Sequence, residues 1–254
     1  MLSATLPPMT SPADLLAWDT EFFGVRVARA RAGRSSPAEL QVLLAWCRDQ
    51  GVELLYLLAD ASSTGTTLEL ERNGFHLMDI RLTLRFRGRP PEGVAEGASP
   101  TIPGTVRSWL PKDVAALQAI AANAHTDSRF YQDPGVPRER ASALYVTWIT
   151  RSCSSGFADE VLVAESDGAA AGYITVSLQP DGSGTIGLLG VGPAARGRGV
   201  GQGLVQGGMR WCLERGADQI AVVTQARNLA AQRLYQNCGF RTAGVGLWYH
   251  RWFR

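Results

Sequence analysis

The residues of this sequence that are best suited to chemistry form a glycine-rich turn between a predicted strand and a predicted helix. The segment LLGVGPAARGRGVGQGL contains, in order, Arg196, Gly197, Arg198, Gly199, Val200 and Gly201. Glycines let the backbone approach a ligand closely and point unpaired N–H groups at phosphate oxygens, and the helix that follows adds partial positive charge at its N-terminus. The two arginines can add full charges. The segment therefore predicts a local anion-binding site.

The spacing of this turn does not fit the two best-known nucleotide-binding loops. A dinucleotide-binding fold expects GxGxxG and an acidic residue about 20 residues later, whereas a P-loop expects GK followed by Ser or Thr. Neither ending follows Gly201. The alternative without a ligand is a flexible linker that contains incidental arginines.

The turn resembles the acetyl-CoA signature of the GNAT N-acetyltransferase superfamily, R/Q-x-x-G-x-G/A, at residues 196–201. An asparagine and a tyrosine follow on a later helix in that superfamily, and Asn228 and Tyr235 match them. The resemblance covers residues 105–254 and implies that the strand before the turn diverges from the strand after the motif helix, with pantetheine between them. It implies acetyl-CoA as cosubstrate, bound by the turn and by Leu189, Val191, Asn228 and Tyr235.

Acetyl transfer from a thioester to an amine needs two hydrogen-bond donors. One donor must meet the developing oxyanion, and the backbone N–H groups between Leu189 and Val191 are the natural candidates. The other must meet the departing thiolate. Tyr235, with an ordinary pKa near ~10, is a poor base at neutral pH but a fair acid toward a thiolate. We predict Tyr235 as the general acid; the alternative is that its ring only packs in the core.

The general base stays open at this stage. His125 is a candidate because imidazole titrates near neutrality, and Asp127 and Glu21 are carboxylates in segments that can line the acceptor site. A water relay is the fourth alternative.

Further segments resemble the TDP-fucosamine acetyltransferase family, whose members acetylate the 4-amino group of a deoxy sugar on a thymidine nucleotide. The W-x-x-x-FFG signature is matched by WDTEFFG, and an S-R-F segment by Ser128, Arg129 and Phe130. By this resemblance we expect Arg129 to pair with a diphosphate, Phe130 to stack on a base or sugar, and Phe23 to face the cleft. The alternative is that both aromatic rings pack in the core. SRFYQDPGVP lacks the tryptophan expected in close members, which leaves the sugar and the nucleotide open.

The sequence also predicts that the scaffold consists of two related halves. WCRDQGVELLYLLADASSTGTTLELERNGF, from Trp46, recurs without a gap 165 residues later as WCLERGADQIAVVTQARNLAAQRLYQNCGF, with six of 30 residues identical. At this offset Asn228 aligns with Ser63, Tyr235 with Leu70, and RGRGVG with RAGRSS. We therefore expect the first copy to be a degenerate half that lacks the general acid and a complete acetyl-CoA site. We expect it to form part of the wall of the acceptor site.

Hydrophobic periodicity predicts an α/β fold with a mixed (α+β) sheet. Strands EVLVAES, AAGYITVSL and GTIGLLGV are separated by turn-forming residues, as antiparallel strands are, and a helix then crosses from GTIGLLGV to QIAVVTQ. A helix is predicted to begin at Pro37. We predict a degenerate GNAT-like N-terminal domain at 1–88, a proline- and glycine-rich linker at 89–104, and a catalytic GNAT acetyltransferase domain at 105–254.

Composition limits the other possibilities. A net charge of +2 does not argue for a nucleic-acid partner, and no apolar run approaches the roughly 20 residues that span a membrane. The four cysteines form no CxxC or Cys/His cluster, so we expect no metal and read them as reduced core residues. We expect a cytoplasmic protein; a homodimer is left open.

These observations predict an acetyl-CoA-dependent N-acetyltransferase that acts on a primary amine of a nucleotide-linked (dTDP-type) deoxy amino sugar, by direct transfer with Tyr235 as general acid. Two alternatives remain. The acceptor can be another small amine, such as an antibiotic, polyamine or amino acid, or the protein can be a non-catalytic acyl-CoA-binding module.

Overall fold

The computed structural model describes residues 11–31, 36–88, 105–154 and 156–253. Among them the elements are, in chain order, β1 (Ala13–Leu15), α1 (Ala17–Phe23), β2 (Val27–Ala30), α2 (Pro37–Asp49), β3 (Leu54–Asp60), α3 (Thr64–Arg72), β4 (His76–Arg87), β5 (Thr105–Ser108), α4 (Val114–Ala124), α5 (Arg129–Gln132), α6 (Arg138–Ser154), β6 (Glu160–Ser166), β7 (Ala169–Leu178), β8 (Gly184–Val191), α7 (Val200–Glu214), β9 (Gln219–Gln225), α8 (Leu229–Asn237) and β10 (Arg241–Trp252). No helix in these ranges is long and apolar enough to span a bilayer.

The chain divides into two compact units: unit 1 is Met1–Ile80 with Gly246–Arg254, and unit 2 is Arg81–Val245. This division differs from the predicted boundaries at 88 and 105, because the long strands β4 and β10 each begin in one unit and end in the other. The end of β10, from Gly246, pairs with β3 and therefore belongs to unit 1, although the rest of the second copy belongs to unit 2. The predicted linker 89–104 lies outside the described residues.

Unit 1 combines a small sheet with helices α1, α2 and α3. Strand β2 lies between β1, its antiparallel neighbour, and β3, its parallel neighbour, and β3 also pairs antiparallel with the end of β10. Helix α2 begins at the predicted Pro37, after a capping box formed by Ser36 and Glu39. Its buried residues recur at helical spacing and pack against the sheet: Leu40, Leu43, Leu44 and Cys47.

Unit 2 contains the mixed sheet that the sequence predicts, in the order β4-β9-β8-β7-β6-β5. Strands β8 and β9 are parallel and the other neighbours are antiparallel, and α7 is the crossover between the parallel pair. Helix α7 packs on one face, where it approaches Ile174 and Val176 through Gly208. Tyr173 points to the opposite face, toward α4. All four cysteines are free and buried.

Candidate active site

The centre of the site is the gap that opens between β8 and β9. The two strands pair only from Gly184 to Ile186 on β8, and the next three residues, 187–189, line a cavity of about 220 Å³. Val191, at the end of β8, is not among the residues that line it. Leu188 and Leu189 of β8, Val223 and Thr224 of β9, and Asn228 and Tyr235 line this cavity. The predicted divergence of the two strands is therefore present, and Leu189, Asn228 and Tyr235 meet at one place.

Strand β8 carries a β-bulge on the wall of the cavity. Its register against β7 shifts between Ile174 and Val176, so that Thr175 lies opposite both Gly187 and Leu188. The buried Oγ1 of Thr175 accepts a hydrogen bond from the N–H of Leu188 at 2.8 Å. This bulge was not predicted, because glycines within a strand are its only sequence signal and they have several possible causes.

The predicted anion-binding turn follows β8. Gly199 is the residue before α7 and has φ 82°, a left-handed conformation that only glycine adopts without strain, and a Cβ there would meet no atom within 4 Å. The turn is therefore open toward solvent. Its first-turn N–H groups have no partner one helical turn earlier, which suits a phosphate. Arg196 and Arg198 are both exposed beside the turn.

Three predicted ligand residues also have structural contacts. Nε of Arg196 donates to the carbonyl of Val191 at 3.1 Å and so ties the turn back to the end of β8. The Val200 side chain is buried in the core of unit 2, so only the backbone N–H of this residue, in the first turn of α7, can contact a ligand. A Cβ on Gly201 would lie 3.2 Å from Leu234, so this glycine allows α7 to approach α8.

Helix α8 positions the two predicted residues of the later motif. Oδ1 of Asn228 accepts a hydrogen bond from the N–H of Ala231 at 3.0 Å and caps the helix. Tyr235 lies two turns further along, 4% exposed, with its ring edge-on to Phe240 at 5.8 Å. Burial, with a smaller contribution from Cys238, raises the pKa of Tyr235 above its ordinary range. The phenol therefore keeps its proton at neutral and mildly alkaline pH, as an acid must.

An aromatic group lies across the cavity. His125 is stacked on Tyr145 with ring centroids 4.3 Å apart, and its Nε2 lies 2.9 Å from the hydroxyl of Tyr173. Burial lowers the pKa of His125 to about 4, which keeps the imidazole neutral at pH 7. Asp127 lines the same cavity. Sequence reasoning raised His125 but missed Tyr145 and Trp148, whose helical spacing in α6 reads as ordinary core packing.

Two of the three residues predicted to bind the acceptor, Arg129 and Phe130, are neighbours at the start of α5. Phe130 is 2% exposed and packs edge-on against Trp148 at 6.2 Å, so its ring is part of the core instead of offering a face to a substrate. The guanidinium of Arg129 lies over that ring, 4.4 Å from its centre. Phe23 ends α1 in unit 1, against Phe22. Among the described residues no cluster of His, Cys, Asp or Glu could hold a metal ion.

Comparison with known proteins adds family information to this geometry. Residues 120–240 match the family described as Acetyltransferase (GNAT) family. The chain is 27% identical to the dTDP-fucosamine acetyltransferase of Escherichia coli O6:H1 over 246 residues, which are 96% of this chain and 100% of that protein. It is 29% identical to the spore coat polysaccharide biosynthesis protein SpsD of Bacillus subtilis over 56% of this chain, but spans only 48% of that protein.

Solved structures agree on the fold. The crystal structure of a GCN5-related N-acetyltransferase from Sphaerobacter thermophilus matches with a TM-score of 0.65 at 20% identity, over 95% of this chain and 76% of that chain. At this identity the likeness supports the architecture alone.

Proposed function

We propose that this acetyl-CoA-dependent N-acetyltransferase of the acetyltransferase (GNAT) family acts on the primary amine of a nucleotide-linked deoxy amino sugar. The observation that carries the transfer chemistry is the gap between β8 and β9, where Leu189 of β8 and Tyr235 of α8 line one cavity. The acceptor rests on separate support, given below.

The residues present fit acetyl-CoA. The turn at 196–201 joins a left-handed Gly199, the start of α7 and two exposed arginines, which suits a pyrophosphate. The unpaired part of β8 offers its backbone along the cavity, where an extended pantetheine can add to the strand. Bound there, acetyl-CoA supplies an acetyl group already activated as a thioester.

The backbone of β8 supplies the donor for the developing oxyanion. Leu188 directs its N–H to Thr175 on β7. Because successive N–H groups of an extended strand point to opposite edges, the N–H of Leu189 is directed to the other edge, where β9 has diverged. We assign the oxyanion donor to Leu189 for this reason.

Tyr235 supplies the proton for the departing thiolate. Its buried phenol is protonated at neutral pH, and it lines the same cavity as Leu189. On the acceptor side, neutral His125 and Asp127 both border the cavity and can accept a hydrogen bond from the incoming amine. The choice between these groups and a water relay is left open.

A nucleotide-linked amino sugar is favoured as acceptor by the similarity to dTDP-fucosamine acetyltransferase over nearly the whole of both chains, and by the sugar-related name of the second relative. The cavity volume of about 220 Å³ is below the range of ~300–1,000 Å³ that holds a whole drug-sized ligand. We therefore expect the cavity to hold the reacting acetyl and amine ends, with the nucleotide outside it.

The test is a thiol-release assay with acetyl-CoA across a panel of nucleotide-linked amino sugars, free amino sugars, polyamines, aminoglycosides and amino acids. We expect the highest kcat/KM with a thymidine-linked 4-amino sugar, and protection by thymidine diphosphate against thermal unfolding. Faster turnover of an amine without a nucleotide, together with no protection by thymidine or uridine diphosphates, would overturn the sugar-nucleotide assignment and leave the acetyltransferase chemistry intact.

A further inference from the structure

We infer that Thr175 is a positioning residue for acetyl transfer: its side chain holds the bulge of β8 in the shape that directs the N–H of Leu189 at the acetyl carbonyl. The inference rests on the proposed function of the cavity, but not on the identity of the acceptor amine. Three observations on β7 and β8 carry it.

The first observation is the buried hydrogen bond. Thr175 is 3% exposed and Leu188 is 9% exposed, and Oγ1 of Thr175 accepts from the N–H of Leu188 at 2.8 Å. In a regular antiparallel ladder a carbonyl would accept from this N–H; here the register shift makes a side chain the acceptor. A buried N–H left without an acceptor is costly, so the backbone would turn to find another one.

The second observation is the close approach of Gly187. A Cβ at this position would lie 2.7 Å from Oγ1 of Thr175, closer than real Cβ atoms come to any atom. Only a glycine therefore lets the hydroxyl occupy the bulge. The two residues form an interlocked pair, with Thr175 on β7 and Gly187 on β8.

The third observation is where the bulge lies. Gly187, Leu188 and Leu189 follow directly after Ile186, the last residue of β8 that pairs with β9, and all three line the cavity. A rotation of the Leu188 peptide changes the direction of the next N–H, because the two share one strand. Thr175 therefore acts on Leu189 through Leu188 and touches no substrate itself.

The experiment compares Thr175→Val, which keeps a branched side chain but removes the acceptor oxygen, with Thr175→Ser, which keeps the oxygen. The readout is the infrared carbonyl band of acetyl-CoA labelled with ¹³C at the carbonyl, bound to each protein without an acceptor amine. A hydrogen bond to this oxygen lowers the stretching frequency. We expect the lowered band in the wild type and in Thr175→Ser, and a band shifted back toward that of free acetyl-CoA in Thr175→Val.

The kinetic expectation follows the same logic. Losing an oxyanion donor costs roughly 10²–10³ in kcat, so misdirecting one should lower kcat about 10-fold to 100-fold in Thr175→Val, with the KM for acetyl-CoA within about twofold of the wild type. Thr175→Ser should restore most of kcat. Any amine that the wild type turns over serves here, so a wrong acceptor assignment does not affect the result.

Gly187→Ala provides a second route if Thr175→Val does not fold. Its methyl group must displace Oγ1 of Thr175, so it should shift the carbonyl band in the same direction. An unchanged band in the folded variant would overturn the inference, as would equal losses of kcat in the valine and serine variants of Thr175.

Discussion

The segment from α2 to β4 and the segment from α7 to β10 share all their element boundaries but the first at the offset of the sequence repeat. Strand β3 (Leu54–Asp60) corresponds to β9 (Gln219–Gln225), α3 (Thr64–Arg72) to α8 (Leu229–Asn237), and β4 (His76–Arg87) to β10 (Arg241–Trp252). Helices α2 and α7 end at corresponding residues, Asp49 and Glu214. The two copies thus share one helix-strand-helix-strand frame, although few of their residues are identical.

Three of the six identical pairs occupy positions that the frame itself requires. Cys47 and Cys212 are both fully buried on the first helix of their copy, and Phe75 and Phe240 are both buried where the last strand begins. Gly51 and Gly216 end that first helix with φ 63° and 88°, as a left-handed C-terminal turn demands. Shared packing therefore explains the repeat without a shared activity.

The strand before the frame differs between the copies: β8 leaves β9 and lines a cavity, whereas β2 is short. Strand β2 pairs with β3 up to Arg29 and ends at Ala30. Strand β8 stops pairing with β9 at Ile186 but continues to Val191, and residues 187–189 of this unpaired length line the cavity. Leu70 replaces Tyr235 at an equally buried position, so the first copy kept the packing and lacks the phenol.

The largest effect is expected from Gly199→Asp. The aspartate would be strained at φ 82° and would place a negative charge where the pyrophosphate is expected to bind, so calorimetry should detect no acetyl-CoA binding. Gly182→Asp is the matched control, because Gly182 has the same φ of 82° and equally open surroundings outside the cavity. Wild-type affinity in Gly199→Asp would refute the assignment of the turn.

Tyr235→Phe should reduce kcat by about 10²-fold or more, as loss of a general acid does, with the affinity for acetyl-CoA nearly unchanged. Because burial raises the pKa of Tyr235, ionisation of this phenol should not lower wild-type kcat as the pH rises from 7 to its ordinary pKa near ~10. Tyr249→Phe removes another buried phenol, 3.4 Å from Glu71 in unit 1, and should leave kcat unchanged. Unaltered turnover in Tyr235→Phe would exclude it as the acid.

Arg196 and Arg31 occupy corresponding positions in the two copies, and only the first should matter for the cosubstrate. Arg196→Ala removes the tie to the carbonyl of Val191 and one positive charge at the turn, so we expect the Kd for acetyl-CoA to rise about 10-fold, equivalent to ~1.4 kcal/mol. Arg31 pairs with Asp14 at the surface, and Arg31→Ala should leave this Kd unchanged. Equal effects in the two variants would contradict the functional difference between the copies.

The smallest effect concerns the residues that precede the second helix of each copy. Asn228→Ala removes a side chain that caps α8 and should lower the free energy of unfolding by ~1 kcal/mol in urea titrations. Ser63 precedes α3, but its hydroxyl bonds the Thr66 hydroxyl at 2.7 Å and caps no backbone N–H, so Ser63→Ala should cost less. A larger loss for Ser63→Ala would show that the caps of the two helices are not as different as their geometry indicates.

Local patterns predicted several strands of unit 2 well. Strands β6, β8 and β9 have the predicted bounds, since alternation and flanking turn residues are strong there. The acetyl-CoA turn and Tyr235 came from resemblance, and the structure places Leu189, Asn228 and Tyr235 around one cavity. Their functional roles stay predictions that the variants above test.

The parts that sequence reasoning missed depend on tertiary pairing. The register shift at Thr175 depends on which residue of β7 pairs with Gly187 of β8. The hydrophobic pattern of one strand contains no information about its pairing partner. The division at Ile80 and Val245 follows from the pairing of β10 with β3 over a separation of nearly two hundred residues. The short elements β1, α1 and α5 have too few residues to show a period.

Hydrogen exchange with and without acetyl-CoA tests most directly the claim that only the second copy binds the cosubstrate. Mass spectrometry of the full chain should show new protection at 187–201 and 223–235, with a binding stoichiometry of one by calorimetry. The corresponding residues of the first copy, 58–70, should exchange at unchanged rates. Protection of 58–70 as well as 223–235, with a stoichiometry of two, would contradict the account.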